Sequence, residues 1–426
     1  MTTRMTTMQS SAIKCCVLVL IAFAVLTDTG TASSGSWMYL GLVDYQSIRS
    51  SDRLAGDQPL SSDGSPLLPA VDPLAVRLSE LCSAVPGLVA SQLDLCHSNP
   101  HALLAISEGA RRGIVECQEQ FRHERWNCTL EGGINVFDMT LQRASREAAF
   151  IFAVTSAGVV HSISRACSAG NLSDCGCDPD KPTGQRSGRG WKWGGCSANI
   201  GQGLDLAKQF IDVAERVHGQ QQQAANGGGV VSGVAPAPAS SGQSSNGSGG
   251  ISGVQHERTS LRTLMNLHNN QAGRVAVRKN MRLRCRCHGI SGSCEVKTCW
   301  MLLPNFEDIG SFLKDKYDNS IQITAESLKR RKRGKRRVPV SRDSLVHIHD
   351  SPDFCERNAR KKILGTSGRL CNKHSQGPDG CEHLCCGRGA RKIVKRLTER
   401  CDCQFHWCCY VTCKLCETRS ETYICK

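Results

Sequence analysis

Residues 285–294 read CRCHGISGSC, and Cys299 follows five positions later. In an extended strand, residues i and i+2 point to one face. Cys285 and Cys287 therefore aim two thiols at a returning strand that carries Cys294 and Cys299. Nested pairing, Cys285–Cys299 outside Cys287–Cys294, makes a covalently braced hairpin with the tip HGISGS. A second set repeats the order near the C-terminus, with Cys401–Cys416 around Cys403–Cys413. Neither register is perfect, so a bulge or a widened return strand is needed, and spacing alone leaves crossed pairings open. At the first tip Ser291 sits between glycines. A hydrolase elbow reads GxSxG on a strand-to-helix turn. Here the last glycine is Ser293, His288 is too close along the chain to swing over, and no acid partner is identifiable. No catalytic residue is assigned, and glycine and serine are ordinary turn formers.

The N-terminus indicates the compartment. Arg4 and Lys14 precede the apolar run CCVLVLIAFAVL, residues 15–26, with Gly30 and Ala32 at the −3 and −1 positions of a cleavage site. Residues 1–32 read as a secretory signal peptide, too short to span a membrane comfortably. Cleavage leaves 24 of the 26 cysteines, and in an oxidising compartment these read as up to twelve disulfides with no metal site. Twelve lie between Cys355 and Cys425, where aliphatic residues are sparse, so residues 355–426 must be stapled rather than packed around a large core.

Residues 81–320 carry helical patterns. Leu103, Ile106, Ala110, Ile114, Cys117 and Phe121 mark one face, and Leu141 to Ile163 is apolar nearly all round. Leu206, Phe210, Val213 and Val217 form another face. Phe306, Ile309, Leu313 and Tyr317 form a third, behind an N-cap at Asn305. The expected fold is α+β: a helical N-terminal domain bearing the hairpin of residues 285–299, and a small cysteine-rich β-hairpin domain. Residues 33–80 read as an irregular arm. Residues 219–254, rich in Gly, Ser and Gln, read as a disordered insert, and residues 321–354 as a basic linker.

A formal net charge of +15 favours an acidic partner; for a secreted chain that is sulfated glycan or the anionic cell surface, not nucleic acid. The charge concentrates in Lys329, Arg330, Arg331, Lys332, Arg333, Lys335, Arg336 and Arg337, read as a heparan sulfate site that also invites proprotein convertases. The tip of the second hairpin is Phe405, His406, Trp407, Cys408, Cys409, Tyr410 and Val411, apolar for a projection and suited to a binding hot spot. Cys408 and Cys409 either bond each other or reach separate partners. Asn127, Asn171 and Asn246 begin glycosylation sequons.

CHGISGSCEVKTCW, residues 287–300, resembles the signature of the Wnt family of secreted, lipid-modified signals. CQEQFRHERWNC (117–128), GWKWGGCS (190–197), NLHNNQAGR (266–274), DGCEHLCCGRG (379–389) and CDCQFHWCCYVTC (401–413) resemble the same family in the same order. The resemblance covers residues 81–426. It implies that Ser291 is esterified with palmitoleate by a membrane O-acyltransferase. That lipid, on a thumb at 285–299, enters a groove in the Frizzled cysteine-rich domain, while an index finger at 401–416 grips the opposite side. It further implies an LRP-type co-receptor, a lipid-binding carrier for export, no cofactor, and residence in the extracellular space and matrix. The nested pairings above agree with the family's, as does Cys408–Cys409. The remaining implied pairs are Cys82–Cys96, Cys117–Cys128, Cys167–Cys175, Cys177–Cys196, Cys355–Cys386, Cys371–Cys381 and Cys385–Cys425. Asn127 matches a family glycosylation position. The rival reading is a matrix protein or antagonist that acts through the basic run alone, proteoglycan-bound and indifferent to Ser291.

Overall fold

The computed structural model describes residues 35–43, 73–85, 87–130, 137–187, 190–226, 260–324 and 340–426. The signal peptide, Asn246 and the basic run Lys329–Arg337 lie outside the described residues. The fold is α+β, as expected. Its centre is the helix Arg146–Ser168 (α5), buried on every side from Ala148 to Ser164. Its length and hydropathy would suit a membrane span, but the whole apolar window is buried in protein, which makes it the core helix of a helical domain.

Pro73–Ala84 (α1) and Ala90–Ser98 (α2) pack on Pro100–Gln120 (α3); α3, Asp138–Gln142 (α4), Ile200–Ala207 (α6), Leu261–Lys279 (α8) and Phe306–Asp318 (α9) pack against α5, and Val213–Asn226 (α7) packs on α2 and α8. Asn99 starts α3 with its side chain accepting from Ala102 N at 3.1 Å, followed by Pro100 at the first turn. The predicted α3 face is buried throughout. Glycine lets α3 and α5 approach closely: a Cβ on Gly113 would lie 2.6 Å from Thr155 Cα. Asn305 caps α9 by position, without a side-chain capping bond.

Several boundaries differ from the sequence reading. The arm of residues 33–80 is partly built structure: Ser36–Leu42 forms a 3₁₀ helix whose Trp37, Met38 and Leu40 are buried, and α1 begins within the arm. Trp37 meets Phe210 edge-on at 6.2 Å, and Ser107 Oγ donates to Leu40 O at 2.9 Å. The region read as an insert from residue 219 is helical as far as Asn226. A π-helical turn, Lys208–Asp212, joins α6 to α7. Its extra residue rotates the buried face onto Phe210, Ile211 and Ala214.

Within the stretch read as a linker, 321–354, the described residues 321–324 and 340–348 pack on the helical domain. Ile321–Gln322 (β4) pairs in parallel with Val346–His347 (β5). Asn269 of α8 brackets Val346, accepting from its N–H and donating to its carbonyl, both at 2.9 Å. Leu345 and Val346 are wholly buried. A buried polar side chain satisfying a backbone unit in this way pins the segment more firmly than its charged composition suggests.

In the cysteine-rich domain Leu370–Cys371 (β6), Ala390–His406 (β7) and Tyr410–Cys425 (β8) form a sheet in the order β6-β8-β7, beside the short helix Cys381–Leu384 (α10). Its core is Leu384, Cys385 and Cys425 with Cys371, Cys381 and Ala390 packed on. The sulfurs of Cys371, Cys385 and Cys425 lie within 4.8 Å of one another, but each is oxidised in a disulfide, so they pack and do not offer a metal site.

Candidate functional site

The thumb is Arg282–Cys287 (β2) paired antiparallel with Lys297–Leu302 (β3), and Cys285 stands directly opposite Cys299. Cys285–Cys299 and Cys287–Cys294 are both formed. The ladder runs in register through Cys287 and Lys297, so the inner disulfide closes the tip beyond it and no bulge is needed. A third strand, Lys192–Trp193 (β1), pairs in parallel with β3 and is tethered by Cys177–Cys196. Gly194 lies where a Cβ would come 2.7 Å from Thr298 Cβ. Ala198 N donates to Met301 O at 2.9 Å. The GWKWGGCS stretch therefore fixes the thumb's base to the helical domain.

At the tip, Gly289 N donates to Ser293 O and Gly292 N to Gly289 O, each at 2.9 Å. Ser291 takes φ 60°, ψ 25°, a left-handed conformation uncommon for a side chain with a Cβ. It is held there by the turn, exposed. His288 does not address it: its ring Nε2 is hydrogen-bonded to Thr298 Oγ1 at 2.7 Å. The serine thus has no base beside it and stands as an accessible hydroxyl on a rigid stalk. Beside it Ile290 is 93% exposed and Val296 largely exposed. Neither was among the sequence candidates; apolar residues in a polar turn were the available signal.

The second projection is larger than the 401–416 finger. β7 and β8 pair continuously from Ala390 and Cys425 to His406 and Tyr410, roughly 50 Å at about 3.3 Å per residue. The register shifts between Cys401 and Gln404, where Asp402 takes φ 44°. This is the bulge that the CxC spacing requires, and it lets Cys403 reach Cys413 while Cys401 bonds Cys416. Beyond it the tip is bare: Trp407 is 93% and Phe405 67% exposed, with Tyr410 and Val411 more than half exposed. His406 stacks on Tyr410 at 4.8 Å and its Nε2 is hydrogen-bonded to Thr412 Oγ1 at 2.7 Å. These aromatics are not the small domain's core.

Cys408 and Cys409 are exposed free thiols, which corrects the expected Cys408–Cys409 bond. They occupy the hairpin turn with φ 73° and 89°. Adjacent cysteines close a tight ring only with one particular twist of the peptide between them, and here two successive left-handed residues supply the turn instead. The other eleven expected pairs are present, those outside the two projections being Cys82–Cys96, Cys117–Cys128, Cys167–Cys175, Cys177–Cys196, Cys355–Cys386, Cys371–Cys381 and Cys385–Cys425. Asn127 is half-buried and accepts a hydrogen bond from Thr129 Oγ1; Asn171 is exposed just beyond α5.

Residues 84–426 match the family model described as the Wnt family. The chain belongs to the Wnt family. It is 42% identical over 414 residues to mouse (Mus musculus) Protein Wnt-16, covering 95% of each chain. It is 42% identical over 353 residues to the Bos taurus Protein Wnt-16, covering 81% of this chain and 87% of the relative. Among solved structures it is similar to a chain in that of human WLS in complex with WNT8A. The TM-score is 0.51 at 34% identity, covering 76% of this chain and 94% of that one. Wnt proteins are secreted signalling ligands rather than enzymes, and the two projections are read in that light.

Proposed function

We propose that this Wnt protein binds Frizzled receptors by two braced projections: a palmitoleoyl ester on Ser291 and the apolar finger tip Phe405–Val411. The observation that carries the reading is the thumb tip, where two disulfides and a left-handed turn expose one hydroxyl that no neighbouring base engages. A membrane O-acyltransferase esterifies that hydroxyl, and small neighbours at Gly289 and Gly292 leave it accessible. At roughly 0.8 kcal/mol per buried methylene, a chain of this length offers on the order of 10 kcal/mol on leaving water, as an upper estimate. That exceeds the contribution of most side chains in an interface, so the ester dominates affinity. The finger adds aromatic contacts from the opposite side.

The same lipid makes the secreted form poorly soluble and calls for a carrier during export. The similarity to a chain of the WLS–WNT8A complex supports a WLS-type carrier. An LRP-type co-receptor completes the signalling assembly. The basic run Lys329–Arg337 retains the ligand on heparan sulfate proteoglycans in the matrix, and Asn127 and Asn171 carry N-glycans.

The test is binding of the secreted chain to an isolated Frizzled cysteine-rich domain. Ser291→Ala is expected to be secreted with its disulfides intact and to lose measurable binding and signalling. Undiminished binding by that variant at equal dose would overturn the lipid-thumb reading. If deleting Lys329–Arg337 abolished activity while Ser291→Ala did not, the matrix-protein reading would replace it.

A further inference from the structure

One face of the thumb's sheet is basic and open. Directly opposed residues of paired strands share a face, so the register sets the rows. Arg286 of β2 stands beside Thr298 of β3, and Thr298 beside Lys192 of β1. Arg186 lies opposite Lys192 across an isolated antiparallel bridge and extends that row. The next row holds Arg284 beside Trp300. With strands about 4.8 Å apart, the row from Arg286 to Arg186 spans about 15 Å. The other face carries Cys285 and Cys299, of which Cys299 is wholly buried.

Arg186, Lys192, Arg284 and Arg286 are exposed and form no ion pair among the described residues. Their neighbour Arg282 does, with Asp308 at 3.0 Å. Four like charges on one rigid face repel one another and draw anions from solution. Trp300, half-buried in their midst, has an apolar body and one polar N–H, the combination that suits a headgroup layer. The basic row runs directly into the tip, where Ile290 and Val296 stand exposed. Cations, an amphipathic ring and bare aliphatic side chains in succession fit a lipid surface. A sulfated glycan would use the charge and leave the aliphatics wet.

We propose that this face lies on an anionic phospholipid leaflet, its four free cations among the headgroups and the thumb tip in the acyl layer. Only the apolar half of the contact rests on the acylated-thumb reading. One acyl chain holds a protein to a bilayer marginally and reversibly, and a cluster of cations is the kind of second signal that makes the hold stable. The charged half is built into the folded thumb and needs no ester. Each cation near an anionic leaflet strengthens binding about fivefold.

The test is co-sedimentation of the full secreted chain with vesicles of phosphatidylcholine alone or mixed with phosphatidylserine. The charged half is read on the Ser291→Ala chain, without ester or receptor, so its failure leaves the lipid-thumb reading untouched. That chain is expected to prefer the phosphatidylserine vesicles and to lose the preference at high salt. Arg284→Gln with Arg286→Gln should weaken the anionic binding roughly 25-fold, about fivefold for each charge. Arg186→Gln with Lys192→Gln should do the same. The charge-matched pair Lys395→Gln and Arg396→Gln, on the distant ribbon, should change nothing. All six side chains are exposed, so every variant should melt with the parent. In the chain that retains Ser291, the thumb pairs should keep binding to phosphatidylcholine while losing the phosphatidylserine gain. Equal binding to both vesicles by Ser291→Ala, or an undiminished preference in both thumb pairs, would overturn the proposal. So would a loss of heparin-fragment binding in those pairs with vesicle binding intact, which would make the face a glycan site.

Discussion

Gly289→Ala tests whether the shape of the thumb tip, beyond its sequence, prepares Ser291 for acylation. An added Cβ would lie 2.5 Å from the carbonyl oxygen of Ser293 and 3.0 Å from its carbonyl carbon. Neither atom is the end of a flexible side chain. The next residue, Cys294, is bonded to Cys287, so the return chain cannot simply withdraw. Overpacking of this kind costs about 1–3 kcal/mol. The ladder below is closed by Cys285–Cys299 and backed by β1, which confines the rearrangement to the tip. Since about 1.4 kcal/mol is a factor of ten, the native tip conformer should fall roughly 5- to 150-fold. The assay is intact mass of the secreted protein at limiting acyltransferase, with a non-reducing peptide map for Cys287–Cys294 and exposed Glu295→Ala as control. The acylated fraction should drop sharply with both thumb disulfides retained. Complete acylation of Gly289→Ala under those conditions would refute the idea that the folded turn presents the serine.

Trp407→Ala should weaken binding to the Frizzled cysteine-rich domain by about 2 kcal/mol or more, as for an aromatic hot spot. Because Trp407 is 93% exposed, the melting temperature should not move; a fall in stability without a fall in affinity would contradict the finger's role. Every disulfide among the described residues closes on one side of residues 325–339. Trypsin acting in the basic run should therefore give two fragments that separate on a non-reducing denaturing gel. They should still co-elute natively, because β4–β5 pairing and the buried Leu345 and Val346 hold them; dissociation of the native nicked protein would contradict that docking. Burial lowers the pKa values of His161, His218, His268 and His347 below the ordinary histidine value. The unfolded chain then takes up protons that the folded chain refuses, so this stability is complete above about pH 6.5 and is lost as pH falls through the folded values. The melting temperature should be lower at pH 5 than at pH 7.4; an increase would contradict neutral burial.

The two hairpins were legible because cysteine spacing is a discrete signal: CxC puts two thiols on one face wherever it is extended. The core helices were legible because the faces of α3 and α9 repeat at helical spacing and α5 is apolar all round. The long stem of the finger was not, since ARKIVKRLTER alternates weakly and neither face of that ribbon is buried. Residues 340–351 read as linker because their anchors carry no periodicity: a two-residue pairing of β4 with β5, the buried Leu345 and Val346, and Asn269 bonded to the backbone of Val346. The 3₁₀ plug at Ser36–Leu42 showed an apolar run but not the partner, Phe210, that it covers. At the thumb, Ser291 was identifiable from its motif, whereas the left-handed turn and the diversion of His288 to Thr298 arise only in the folded tip. The same holds for Cys408 and Cys409, whose adjacency suggested a bond that the turn does not form.

The central claim is that the oxygen of Ser291 carries the element by which this Wnt protein engages its receptor. Tandem mass spectrometry of the thumb peptide, taken from the receptor-binding fraction of secreted protein, addresses it directly. A monounsaturated sixteen-carbon acyl group in hydroxylamine-labile ester linkage at Ser291 is the expected result. An unmodified Ser291 in a fraction that binds and signals normally would contradict it.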